Sequence, residues 1–289
     1  MRDERVTAPL AERSGGLRRA GRMVVTLLVA LTLAYGALLL LARFAGRTFM
    51  YPGAMYGVPE TTVPTGVTVL ERKIEGGSVE AWFFPGEPEE PKPLVVLFHG
   101  NGELIDHQVE VASIYARAGY AVLVPEYRGY GRSGGSPEQV SIVADALWFI
   151  ERAIEDPAVD PDRVLYHGFS IGGGVAGAVT RERAPNVLVL SSTFRSMGHM
   201  FARYLIPPAL APDPYDTAGT LKQYDGPVLI THGSNDTIVP TREGRGLARG
   251  RPGATLVIHP GGHNDALTQP ELWEALSEFL TEQGYPSPL

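Results

Sequence analysis

Apolar positions fall into three regimes along the chain. From Met23 to Ala42 no residue carries a charge. At ~1.5 Å per residue that run makes a helix about 30 Å long, the thickness of a bilayer's hydrocarbon core. Residues 43–66 lose the pattern, are rich in Pro, Gly and Thr, and read as a linker. From Val67 onward, short apolar runs alternate with longer stretches of helical period. VTVLERKI (67–74) and VEAWFF (79–84) flank Gly76-Gly77 and read as a hairpin. PLVVLFH (93–99), YAVLVPE (120–126), RVLYHG (163–168), NVLVLSS (186–192), PVLITH (227–232) and ATLVIH (254–259) are continuous rather than alternating. Such runs suit strands covered on both faces, as in a parallel sheet.

Helical patterns separate these strands at 106–118, 138–155, 171–183, 241–249 and 270–283. The order predicts an α/β fold: a mostly parallel central sheet of about eight strands flanked by helices. Residues 194–220, with Pro207-Pro208 and Pro212, read as a short irregular cap over the sheet edge, too short for a second domain. The expected organisation is a tail at 1–22, a transmembrane helix at 23–42, a linker at 43–66 and one α/β domain at 67–289.

Charge sharpens the reading of the N-terminus. The 289-residue chain has a net charge of −7, yet Arg2, Arg5, Arg13, Arg18, Arg19 and Arg22 face only Asp3, Glu4 and Glu12 in the tail. A cleaved signal is the competing reading. However, the apolar run exceeds the ~7–15 residues of a signal core, and Arg43 occupies the −3 place of the site ending at Ala45. Thr32 and Ala34 form a weaker internal site, and Arg18-Arg19 lacks the flanks of a twin-arginine signal. An uncleaved anchor is therefore expected, with the arginine-rich side cytoplasmic and the large domain outside. An acidic chain without a basic domain excludes nucleic acid as a bulk partner. The absence of cysteine removes disulfides, thiolate metal sites and a cysteine nucleophile, without fixing the compartment.

The strongest chemical signal is Gly168-Phe169-Ser170-Ile171-Gly172, placed where a strand ends and a helix begins. A G-x-S-x-G nucleophile elbow requires that context, and Gly172 to Gly174 supply room for strand and helix to approach. A plain glycine-rich turn is the bland alternative. Gly131-Arg132-Ser133-Gly134-Gly135 has the same spacing, but more loop follows it, so Ser133 is expected to be a loop residue. A serine nucleophile needs a base and a group to orient that base, in the chain order serine, acid, histidine. Asp236 follows PVLITH and His263 follows ATLVIH, both at carboxyl ends of strands where open α/β sheets build their sites. Asp265 is a rival acid, expected instead to cap the next turn. His99, His167, His232 and His259 sit at strand ends and are expected to be buried and hydrogen-bonded. His107 and His199 precede the acid. The backbone N–H groups of Ile171 and Asn101 are the candidate oxyanion donors. The sequence contains no H-E-x-x-H, phosphate loop or dinucleotide motif, and no cofactor is implied.

HGNGE (99–103), EYRGYGRSGGSPE (126–138), GFSIGG (168–173), HGSNDTIVP (232–240) and GGHND (261–265) occur in this order. With them, residues 67–284 resemble the α/β-hydrolase superfamily, most closely its single-span, membrane-anchored, depalmitoylase-like branch. The resemblance implies a serine hydrolase with Ser170 as nucleophile, Asp236 and His263 as its partners, and Asn101 and Ile171 at the oxyanion hole. The implied substrate is a small-molecule or lipid acyl ester or thioester. A peptidase or amidase, or a non-catalytic binding protein, are the alternatives on the same fold. Glu126 stands where relatives usually carry aspartate, a departure that bears on loop anchoring. Nothing in the sequence specifies an oligomeric state.

Overall fold

The computed structural model describes residues 10–86 and 90–289, with side chains described from residue 19 onward within the first helix. Arg2 and Arg5, and the side chains of Arg13 and Arg18, lie outside the described residues. The chain forms two compact units, Met1–Ala45 and Gly46–Leu289. Helix α1 (Leu10–Met50) contains a stretch, Arg19–Met50, that is long and apolar enough to cross a membrane. Its mean hydropathy reaches 2.5, and Leu27, Leu31 and Leu33 are all more than half exposed.

The structure revises the linker expected at 43–66. The sequence from Arg43 to Met50 holds no proline, and the helix continues through it. Pro52 then starts a 3-10 turn (Pro52–Met55), where its missing N–H costs nothing. Met50, Tyr51 and Gly53 are buried. Within the expected linker, residues 57–64 lack regular structure, 65–66 form a turn, and the stretch is mostly exposed.

The second unit is built on an eight-stranded sheet. Its strands are β1 (Thr68–Ile74), β2 (Gly77–Phe84), β3 (Lys92–Phe98), β4 (Ala121–Pro125), β5 (Val159–Phe169), β6 (Val187–Ser191), β7 (Val228–Gly233) and β8 (Thr255–His259), in the order β1-β2-β4-β3-β5-β6-β7-β8. β2 pairs antiparallel with β1 and β4, and the remaining pairs are parallel. β1, at the edge, alternates exposed and half-buried positions, whereas β4, β6 and β7 are buried throughout. β5 starts earlier than its apolar run because a register shift lets Pro93 pair with Asp160 and Leu94 with Val164.

Alternation along the strands feeds two cores. Leu94, Val96 and Phe98 of β3 face α3 (Gln139–Ile154), α4 (Ile171–Glu182) and α7 (Arg242–Gly250) through Phe149, Val175 and Leu247. Val95 and Leu97 face α2 (Val109–Arg117) and α8 (Pro270–Glu282) through Tyr115 and Leu276. The cap holds α5 (Met197–Ala202), a 3-10 turn and α6 (Thr217–Leu221). Because Phe149 is fully buried, Phe149→Ala should destabilise the fold by about 3–5 kcal/mol, read as a lowered midpoint in urea titration.

Candidate active site

Ser170 lies between β5 and α4 with φ 56° and ψ −120°, a conformation that costs a non-glycine residue about 1–3 kcal/mol. Its surroundings hold it there. Its N–H donates to the Ser191 carbonyl at 2.9 Å, and its carbonyl accepts from Gly173 N at 3.0 Å and from Thr193 Oγ1 at 2.6 Å. Two glycines permit the geometry. A Cβ on Gly168 would collide with the Gly172 carbonyl, and one on Gly172 with the Phe98 carbonyl at the end of β3.

Asp236 and His263 come from the loops after β7 and β8. His263 Nε2 is 2.9 Å from Ser170 Oγ, and His263 Nδ1 is 2.7 Å from Asp236 Oδ2. A carboxylate only accepts, so Nδ1–H donates to Asp236 and Nε2 is left to accept from the serine hydroxyl. The other oxygen of Asp236 accepts the N–H groups of Ile238 at 3.0 Å and Val239 at 2.8 Å. Burial pushes the Asp236 carboxyl up. Hydrogen bonding from His232 and His263, the charge of His263 and the Val239 N–H outweigh it, leaving Asp236 far below the usual carboxylate range. His232 Nε2–H donates to the Val239 carbonyl at 2.7 Å and lies 3.4 Å from Asp236 Oδ2, backing the acid. The three side chains are nearly buried, Ser170 and Asp236 at 6% exposure and His263 at 8%.

Gly172 approaches the end of β3 closely, and the two expected oxyanion donors flank that contact in sequence: Ile171 precedes Gly172, and Asn101 follows β3 by three residues. Ile171 is the first residue of α4, so its N–H has no intrahelical partner. The Gly100 N–H is taken by the Glu103 carboxylate at 2.6 Å. The Gly100 carbonyl accepts from His99 Nδ1 at 2.9 Å and from Glu103 N at 3.2 Å. Because the peptide is planar and trans, holding that carbonyl aims the Asn101 N–H the opposite way.

Behind this loop, His99 and Glu126 form a wholly buried pair, Nε2 to Oε1 2.9 Å. Both ring nitrogens of His99 face acceptors. Glu126 also takes the N–H groups of Tyr127 at 3.0 Å and Ile105 at 3.1 Å. The arrangement is that of an imidazolium with a carboxylate, and the Tyr127 ring stacks on it at 4.0 Å. Burial lowers the His99 pKa, but the charge and hydrogen bond of Glu126 and the Gly100 carbonyl raise it further, so it ends above the ordinary histidine value. The departure from aspartate put the anchoring of this loop in question; Glu126 nevertheless holds it, through His99 and the N–H groups of Ile105 and Tyr127.

The other sequence candidates lie elsewhere. Ser133 Oγ accepts the Glu80 N–H at 3.1 Å, a loop-to-strand contact. Asp265 accepts the Gly262 N–H at 2.7 Å and so closes a turn. His167 sits between Tyr115 and Ser191, pushed down to about 4 by burial. His259 Nδ1 is occupied by the Pro260 carbonyl. Thr193, whose hydroxyl holds the Ser170 carbonyl, carried no sequence signal for this site.

A family model described as serine aminopeptidase, S33, matches residues 89–211. The uncharacterized protein Rv2307c of Mycobacterium tuberculosis is 32% identical over 275 residues, 92% of this chain and 97% of that protein. Protein bem46 of Schizosaccharomyces pombe is 27% identical over 214 residues, 70% of this chain and 72% of its own length. Among solved structures, the Pyrococcus furiosus esterase PF2001 superposes with TM-score 0.61 at 17% identity, over 78% of this chain and 96% of that one. The α/β hydrolase GrgF from Penicillium gives TM-score 0.62 at 14% identity, over 76% and 99%.

The chain belongs to the α/β-hydrolase superfamily. In this α/β-hydrolase, the serine, acid and histidine follow the expected chain order on the expected loops. The buried His99–Glu126 pair is a structural demand of the site. Glu126→Gln should destabilise the protein by roughly 3–5 kcal/mol near neutral pH, because the remaining imidazolium loses its counter-charge. The raised His99 contributes stability that is fully present below its ordinary value of 6.5 and is lost as pH rises through the folded value. Thermal melts from pH 6 to 10 should therefore show the gap between wild type and Glu126→Gln narrowing on the alkaline side. A gap independent of pH would exclude a charged pair.

Proposed function

We propose that this α/β-hydrolase is a membrane-anchored serine hydrolase that cleaves acyl esters or thioesters. The observation that supports the reading is the unbroken series Ser170 Oγ, His263 Nε2, His263 Nδ1, Asp236 Oδ2, with both gaps at hydrogen-bond distance. His263 Nε2 takes the Ser170 proton as Oγ bonds to the acyl carbon, and the carbonyl π pair moves to oxygen. The N–H groups of Ile171 and Asn101 receive that oxyanion. Collapse breaks the bond to the leaving group, which takes the proton from His263 and departs as an alcohol or thiol. Water repeats the sequence on the acyl-enzyme and frees the acid. Asp236 holds the imidazole tautomer and stabilises the imidazolium throughout.

Ser170→Ala and His263→Ala should each lower kcat on p-nitrophenyl acyl esters by about 10⁴–10⁶ without lowering Tm, since the members act as a unit. Ser133→Ala should keep wild-type rates. A fluorophosphonate probe should label wild type and not Ser170→Ala. Labelling that persists in Ser170→Ala, with loss in Ser133→Ala, would transfer the nucleophile to the wrong-looking motif and overturn the assignment. A peptidase reading is favoured by the description of the matching family model. Aminoacyl anilides assayed beside esters and thioesters decide between them.

The apolar stretch of α1 supports an anchor, with the arginine-rich side cytoplasmic and the catalytic domain outside. Tethering raises the effective concentration of membrane-bound substrates alone. Full-length enzyme in liposomes should therefore outpace a chain beginning at Gly46 on a lipid-embedded acyl substrate. Both should hydrolyse a short soluble ester equally. Equal rates on the embedded substrate would leave the span as a localisation device only.

A further inference from the structure

The residues just after the apolar span do more than connect it to the domain. Within the unit that starts at Gly46, the chain passes over the loop that follows β3 and binds it at one residue. The Gly53 N–H donates to the Asn101 carbonyl at 3.1 Å, and Asn101 Nδ2 donates to the Met50 carbonyl at 3.3 Å. Tyr130 Oη, whose ring packs so closely on Gly53 that a Cβ there would collide with it, donates to the same Asn101 carbonyl at 3.1 Å. The segment is itself fastened. Arg47 Nε reaches Asp213 Oδ2 at 3.2 Å, and Tyr51 Oη reaches the same oxygen at 3.1 Å.

We infer that residues 47–53 form a strap that positions Asn101, and with it the oxyanion donor of the proposed reaction. The inference rests on that reading of the site. Asn101 has two flanking peptides. The preceding one carries its N–H and is held by His99 and Glu103 through the Gly100 carbonyl. The following one carries its carbonyl and is held by Gly53 and Tyr130. The bonds from His99 and Glu103 fix the plane of that N–H from within the loop, whereas Gly53 and Tyr130 tie the loop's other side to the rest of the domain; without them the loop shifts and carries the N–H with it. A donor aimed in advance is what makes oxyanion stabilisation effective, because it requires no reorganisation during the reaction. The end of the N-terminal helix is thus a working part of the site, and any chain that lacks 47–53 lacks a fully positioned oxyanion hole.

The test uses full-length enzyme in detergent and a soluble p-nitrophenyl ester. Gly53→Ala forces the strap off Tyr130 and should lower kcat about ten- to a hundredfold with KM nearly unchanged, the pattern of a group that acts in the transition state. Tyr130→Phe removes one hydroxyl and keeps the ring; it should lower kcat several-fold with the same KM. The Tyr130→Phe/Asn101→Ala double variant should lose less than the product of the single losses, because both substitutions loosen the hold on one residue. Met55→Ser, on the same segment and exposed, should match wild type. If Gly53→Ala proves unstable, Tyr130→Phe carries the decision alone. Unchanged kcat in Tyr130→Phe, or a loss confined to KM, overturns the strap while fluorophosphonate labelling of Ser170 still upholds the hydrolase reading. Loss of that labelling requirement, with Ser170→Ala active, overturns the hydrolase reading instead.

Discussion

The site depends on how closely the first turn of α4 approaches the end of β3. That approach is a steric condition before it is a chemical one. Phe98 and His99 present carbonyl oxygens to the helix, and only hydrogen at the Gly172 α-carbon clears them. The same closeness requires Ser170 to turn the chain at positive φ, and the bonds from Ser191, Thr193 and Gly173 offset the cost of that turn. Once the helix is seated, its first turn packs against Phe98 and His99, and the serine hydroxyl meets His263 Nε2. Histidine and acid need only arrive on loops from β8 and β7, which adjoin each other in the sheet.

Electrostatics around this edge follow one rule: each buried charge meets a counter-charge or several donors. Asp236 gathers two backbone N–H groups and His263, with His232 behind it. Glu126 gathers His99 and two backbone N–H groups. The two carboxylates sit on opposite sides of the elbow and serve different ends. One holds the tautomer of His263. The other, through His99, holds the Gly100 peptide. Buried ion pairs contribute little net stability against an apolar core of the same shape, but they hold one geometry, and geometry is what the site needs.

The helix that begins as an apolar span ends inside the hydrolase unit. Its last turn and the 3-10 turn after it bury Met50, Tyr51 and Gly53, and they hold Asn101 through backbone groups. The proposed anchor and the proposed strap are then parts of one continuous segment. The expected linker is therefore buried at Gly46, Met50, Tyr51 and Gly53 and loses regular structure only from Gly57.

Much of this was legible in the amino-acid sequence. Continuous apolar runs announced the strands, and β4, β6 and β7 are buried throughout, whereas ATLVIH forms the half-buried edge strand β8. The elbow was legible because its glycines answer a local steric demand between residues four apart. Asp236 and His263 were legible from loop position and chain order. Ser133 was separable from Ser170 because no helix follows it at once. Other features were decided only in three dimensions. The residues 43–50 read as linker, since no periodicity distinguishes a helix end docked on a domain from a solvated one. Gly53 and Met50 act through N–H and carbonyl groups that any residue would offer, so their identities carry no mark of the contact. The charge state of His99 follows from two acceptors, Gly100 next to it and Glu126 twenty-seven residues away. Local sterics and periodicity are written in residue types; contacts between distant backbone groups are written only in the fold.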